Sequence, residues 1–167
     1  LEKLGMKGTH FGVSLVEKEG NDVVQKCGPY GKDNIEFLIS ANPGNPLLPL
    51  AKIASGGELS RVMLALKTIF AQNDNVETLI FDEIDVGISG RTAQKVSEKM
   101  AYIAKSHQVI CITHLAQIAA MADAHYAIEK TVADGKTRTS ISLLTAEQEI
   151  DELARILGGA EITETVK

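Results

Sequence analysis

The chain has 167 residues, which suits one domain, and its 44% hydrophobic and 23% charged content is that of an ordinary globular sequence, excluding a largely disordered chain. A net charge of -5 and a pI near 5.4 exclude a surface dominated by nucleic-acid phosphates, which needs clustered Lys and Arg, so any DNA-related role is indirect or lies outside this chain. No apolar run approaches the roughly 18 to 20 residues that span a bilayer, and no charged-then-apolar leader opens the chain, so the expected compartment is the cytosol with no membrane partner.

In chain order, Leu1 to Gly8 is short, polar and glycine-punctuated, and reads as the tail of something upstream. From Thr9 to Val16 the apolar residues Phe11, Val13 and Leu15 alternate with smaller or more polar ones, which predicts a half-buried strand. A turn-rich run, Glu19 to Asn34, separates it from a second strand at Ile35 to Ser40. Asn42-Pro43-Gly44-Asn45-Pro46 ends that strand with residues that suit turns, and an extended link, Leu47 to Ile53, follows. Cys27 and Cys111 are far apart with no CxxC partner and predict two reduced thiols; the four histidines are scattered and suggest no metal cluster.

Ala54-Ser55-Gly56-Gly57-Glu58-Leu59-Ser60-Arg61 is the first informative stretch. Ser55 and Glu58 form a capping box, and Leu59, Val62, Met63, Leu66, Ile69 and Phe70 then recur at helical spacing, predicting a helix from about Gly56 to Phe70. Glycine gives up as much as about 1 kcal/mol relative to alanine inside a helix, so Gly56 and Gly57 in the first turn need a reason. Two glycines leave bare N–H groups at the positive end of the helix dipole, an arrangement that binds phosphate. The other reading is a plain capped helix with a flexible entry.

After a polar loop, Gln72 to Glu77, Thr78-Leu79-Ile80-Phe81 is a short continuous apolar run, as expected of a strand buried on both faces of a parallel sheet. It ends in Asp82-Glu83. Neighbouring carboxylates at the end of a buried strand want a cation or a shared proton, and magnesium with a nucleotide fits. Alternatively one carboxylate caps the following helix and the other faces water.

Ile84 to Gly90 is a loop, and Arg91 to Ala104 a helix with Ala93, Val96, Met100 and Ile103 on its apolar face. Val109-Ile110-Cys111-Ile112 repeats the buried-strand pattern and ends in Thr113-His114. Strand, helix and strand of this length make a βαβ unit, which brings Asp82, Glu83 and His114 to the carboxyl edge of one sheet, where ligands bind in open α/β folds. Leu115 to Asp123 reads as a helix, and His125 to Val132 and Thr137 to Leu144 as strands joined by Asp134-Gly135. Ala146 to Leu157 is a final helix, apolar at Ile150, Leu153, Ile156 and Leu157 and closed by Gly158-Gly159, and Ile162 to Lys167 looks like the start of another.

S-G-G-E followed by an apolar run with Asp-Glu, then a strand ending in His, resembles the second half of an ABC-type ATPase head. Within that superfamily Asn42-Pro43-Gly44, Pro49 to Arg61, Phe81 to Gly90 and Ile112 to Ala119 look like the RecN family, DNA double-strand-break repair ATPases related to the SMC proteins. The resemblance implies an α/β fold: the C-terminal lobe of a split head, with parallel strands and flanking helices, antiparallel strands at the N-terminus and a C-terminal hairpin. It implies a single domain over residues 1–167, with 1–8 the remnant of a coiled-coil exit. Ser55, Gly56, Gly57 and Glu58 would be the signature motif, contacting ATP held by the opposite subunit. Asp82 would hold Mg2+ through water, Glu83 would be the base or positioning group for the attacking water, Asp85 with Gly87 would lie in the loop that crosses the dimer, and His114 would sense the γ-phosphate. Such chemistry needs little beyond positioned charges.

No GxxxxGK[ST] phosphate loop occurs; Gly28-Pro29-Tyr30-Gly31-Lys32-Asp33 has the wrong spacing and no hydroxyl after the lysine. In the family that loop lies in the N-terminal lobe. The expected partners are therefore that lobe, a second head sandwiching ATP, and DNA in the complete protein but not through this acidic part; the chain alone is expected to be inactive. The rival readings are an ABC transporter nucleotide-binding subunit, which usually has glutamine where Glu58 stands and aspartate where Leu115 stands, and a non-enzymatic interaction module.

Overall fold

The structure is a computed structural model, and it describes residues 1–20, 22–53, 55–71, 75–133 and 135–158. Ala54, part of the loop at Gln72, the hairpin residue Asp134, the C-cap Gly159 and the helix expected from Ile162 lie outside the described residues. The elements run β1 (His10–Glu17), α1 (Val23–Lys26), β2 (Asp33–Ser40), β3 (Leu48–Pro49), α2 (Gly56–Phe70), β4 (Thr78–Phe81), α3 (Gly90–Ile103), β5 (Gln108–Cys111), α4 (Ala116–Ala119), β6 (Tyr126–Ala133), β7 (Lys136–Leu143) and α5 (Ala146–Gly158). Among the described residues these form three small sheets: antiparallel β1-β2-β3, parallel β4-β5 and the antiparallel hairpin β6-β7.

The core sits between α2, α3 and the β4-β5 pair. Ala93, Val96, Met100 and Ile103 all point inward from α3, as their spacing predicts, and meet Leu64, Leu79, Phe81 and Ile84. Each large side chain buried this way contributes about 1.5–3 kcal/mol. The opening residues belong to this core. A 3-10 turn at Glu2–Leu4 packs on α3 and buries Leu4, and Met6 joins Ile39 and Val62 in a second cluster. A polar-looking tail thus supplies two core residues.

Several expectations need correction. β4 is buried on one face only: Leu79 and Phe81 point into the core, while Ile80 is 67% exposed because its sheet has only two strands. On α2 the buried residues are Gly57, Arg61, Val62 and Leu64, whereas Ile69 and Phe70 are exposed, because the helix turns its glycine face toward the segment after β4. The helix expected from Leu115 to Asp123 is a single turn, Ala116–Ala119, with no side-chain cap at its start. Phe11 and Phe37 pair across β1 and β2 with ring centroids 5.5 Å apart, yet both remain partly exposed, as do Val13, Leu15 and Ile35 on the same strands.

The run Gly28 to Lys32 is a turn that leads into β2 at Asp33. Gly28 and Gly31 exchange main-chain hydrogen bonds, and Lys18 Nζ donates to Gly31 O at 3.0 Å. Both cysteines are free thiols. Among the described residues, no helix is long and apolar enough to cross a membrane.

Candidate functional site

The three motifs meet because α2 and β4 are joined by a short connection and β4 runs back toward the start of α2. Ser55 caps the helix, its Oγ accepting from Glu58 N–H at 3.4 Å, one half of the expected capping box. One helical turn further on, Ser60 Oγ donates to Asp82 O at 2.7 Å, and Arg61 Nη1 donates to Ile84 O at 3.2 Å and Val86 O at 2.8 Å. Arg61 is buried, and its Nε has no protein partner. Burial lowers the pKa of the guanidinium and nearby Glu58 opposes that, but an arginine stays charged at any ordinary pH.

The signature glycines have a steric reason as well. A Cβ on Gly56 would run into the Glu83 carboxylate, and one on Gly57 would lie 2.9 Å from Glu83 O and 3.1 Å from Val86 O. Glu83 itself has φ of +56°, a left-handed conformation unusual for a residue with a side chain. Its N–H is satisfied by Asp82 Oδ1 at 2.9 Å. The carboxylate of Glu83 thus lies against the first residue of α2, where the helix dipole favours negative charge.

Asp82 and Glu83 are both exposed. The pairing of Phe81 with Cys111 puts the carboxyl end of β5 beside them, and Ile112 N–H donates to Phe81 O at 3.0 Å. Asp85, 3% exposed, turns toward that strand end. Its Oδ2 accepts from Thr113 Oγ1 at 2.6 Å and His114 N at 2.9 Å, and lies 3.1 Å from His114 Nδ1. The Asp85 side chain is therefore engaged within its own chain. Cys111 lies among these acids: burial first, then Asp85 and Asp82, push its thiol up to about 12.

The structure thus brings Ser55, Gly56, Gly57, Glu58, Asp82, Glu83, Asp85 and His114 to one end of the α2-β4-β5 unit. Sequence reasoning assigned no role to Ser60, Arg61 or Thr113. Arg61 was legible in principle: it stands four residues after Gly57 and three before Leu64, on the face that is buried. A magnesium ion fits here only in part. Among the described residues no group of three or more His, Cys, Asp or Glu could hold a metal, so Asp82 would share the ion with groups from elsewhere.

The fold of this chain is similar to that of solved SMC head domains. The Smc head domain with coiled coil and joint from Pyrococcus yayanosii matches with a TM-score of 0.55 and 21% identity, covering 90% of this chain and 26% of that one. The Pyrococcus furiosus Smc head bound to the C-terminal domain of ScpA matches with a TM-score of 0.51 and 22% identity over 93% of this chain and 35% of that one. No protein-family model matches the chain. Over its own length the chain is similar to RecN sequences: it is 54% identical to DNA repair protein RecN of Treponema pallidum over 95% of the chain, and 47% identical to that of Halalkalibacterium halodurans over all of it. It spans 28% and 29% of those two relatives.

Proposed function

We propose that the chain is the signature-motif and Walker B lobe of an ATP-hydrolysing head that works in bacterial DNA-break repair, in the cytoplasm and associated with the nucleoid. The observation that carries this is the clamp of Ser60 and Arg61 on the main chain of 82–86, which joins the phosphate-type helix start and the carboxylate pair in one unit. When bound, Mg-ATP supplies the phosphoryl group and the cation. Asp82 would be the residue that holds the ion, Glu83 would orient or deprotonate the attacking water, and His114 would face the terminal phosphate. Ser55, Gly56 and Gly57, with Glu58 behind them, offer the helix start to nucleotide held by a second head. Because Glu83 lies against Gly56 here, that contact has to open for a phosphate to reach the helix end.

The rest of the phosphate cradle is supplied by the N-terminal lobe. The bare face of β4 and β5, with Ile80 67%, Ile110 43% and Ile112 48% exposed, is the apolar surface such a lobe would cover. DNA is engaged by other parts of the protein, since this chain is acidic. The test is Mg-ATP turnover by this chain with and without the separately expressed N-terminal lobe, with Glu83→Gln as control. Turnover only on mixing, abolished by the substitution, is the expected result; full turnover by the chain alone would sink the reading.

A further inference from the structure

We infer that Asp85 is the positioning residue for His114: it holds the imidazole with Nδ1–H turned inward and leaves Nε2 as the outward-facing nitrogen. This inference rests on the reading of His114 as the phosphate-facing side chain, but its geometry stands apart from any nucleotide.

Two hydrogen bonds and one close approach set where the proton can sit. One carboxylate oxygen, Asp85 Oδ2, faces three groups: Thr113 Oγ1, the main-chain N–H of His114 and Nδ1 of the same residue. The main-chain N–H can only donate. Thr113 Oγ1 accepts from Leu115 N–H at 3.1 Å, so its own proton is free to point at Asp85. Two donors converge on this one oxygen, which therefore acts toward them as an acceptor. Nδ1 lies 3.1 Å from that acceptor oxygen, and a lone pair there would face the oxygen's own, so the ring carries its proton on Nδ1.

Burial makes this assignment firm. Asp85 is 3% exposed, so water does not compete for its oxygen, whereas the His114 side chain is 73% exposed and its far edge is open. The neutral ring then presents a lone pair at Nε2. It accepts from an O–H group such as a water molecule; it can donate to a phosphate oxygen only as the imidazolium, with Asp85 as counter-ion. His114 thus has two modes, separated by one proton, and Asp85 permits both without moving the ring.

The test is the tautomer itself. In long-range 1H–15N spectra of the uniformly labelled chain, at a pH where the rings are neutral, His114 should show a protonated Nδ1 and an unprotonated Nε2. The exposed His10 serves as the reference for a ring without such a constraint. Asp85→Asn should remove the preference, and Thr113→Val, which leaves Asp85 in place, should keep it. A His114 carrying its proton on Nε2 in the unaltered chain would overturn the inference, and that reading needs no variant to fold. A protonated Nδ1 together with undiminished turnover in His114→Ala of the full-length protein would instead defeat the catalytic role while leaving the pair intact.

Discussion

The guanidinium of Arg61 donates to the carbonyl oxygen of Val86 across 2.8 Å, and the same Nη1 reaches Ile84 O at 3.2 Å. Among the described residues this buried cation donates to no carboxylate; it donates to two main-chain carbonyls and fixes the course of the loop that leaves β4. Replacing Arg61 with Met would leave those oxygens without their donor, and an orphaned buried polar group costs about 1–3 kcal/mol. Urea unfolding of Arg61→Met should show a loss of that size. Amide exchange at Val86 and Ile88, whose N–H groups bond to Glu83 O and Asp85 O, should quicken. Unchanged exchange at both would show that the clamp does not hold the loop.

The two signature glycines should respond differently to a methyl group. At Gly56 a Cβ meets only the far end of the Glu83 side chain, which can swing away, so Gly56→Ala should leave stability within about 0.5 kcal/mol, helped by alanine's better helix propensity. At Gly57 the Cβ meets main-chain Glu83 O and Val86 O, so Gly57→Ala should cost about 1–3 kcal/mol, as overpacking does. Equal effects in thermal unfolding would contradict this geometry. With the N-terminal lobe present, both should lower Mg-ATP turnover, Gly56→Ala by displacing Glu83.

Glu83 separates stability from activity. Its φ of +56° is costly for a residue with a Cβ and free for glycine, against which stands the greater chain entropy glycine loses on folding. Glu83→Gly should therefore unfold no more easily than the parent, or resist denaturant better by up to about 1 kcal/mol, and yet support no turnover. A destabilised Glu83→Gly would mean that the carboxylate against Gly56 stabilises the fold more than the backbone strains it.

Cys111 should be silent toward thiol reagents while Cys27 reacts. The Cys111 thiol is raised from 9.0 to about 12 by burial and then by Asp85 and Asp82, so it is protonated and unreactive at neutral pH, and Cys27 is exposed. The sign follows from proton counting. Below about pH 9 folded and unfolded chains both keep this proton; between about 9 and 12 only the folded chain does, so stability falls as pH rises through that window. Labelling with a maleimide, followed by mass spectrometry, should give one adduct when folded and two in denaturant. Cys111→Ser should flatten the alkaline loss.

Where one rule governed an element, the sequence was a good guide. The α3 stripe Ala93, Val96, Met100 and Ile103 is buried because a helix against a core has one dominant face, and α2 spans Gly56 to Phe70 as its cap predicts. The parallel pairing of β4 with β5 and the common edge of Asp82, Glu83 and His114 also follow from strand, helix, strand. What could not be read was contact between elements. Local pattern put Leu59, Met63 and Ile69 on the inner stripe of α2, but the steric need of Gly57 against Val86 rotates Arg61 inward and Ile69 outward. Asp85 stands in a segment that reads as a loop, and the groups it meets there, Thr113 and His114, come 28 and 29 positions later. Leu4 and Met6 are core residues through packing on distant elements, which no eight-residue window contains.

Every acceptor in the clamp on residues 82 to 86 is a main-chain oxygen: Asp82 O, Ile84 O and Val86 O. A carbonyl is common to all twenty amino acids. Tolerance to substitution is therefore lopsided across this contact. The exposed Val86 side chain can be exchanged for other types without removing a partner from Arg61, while Ser60 and Arg61 have no such latitude. Sequence drift in the loop would leave its path in space unaltered, and drift in the helix would not.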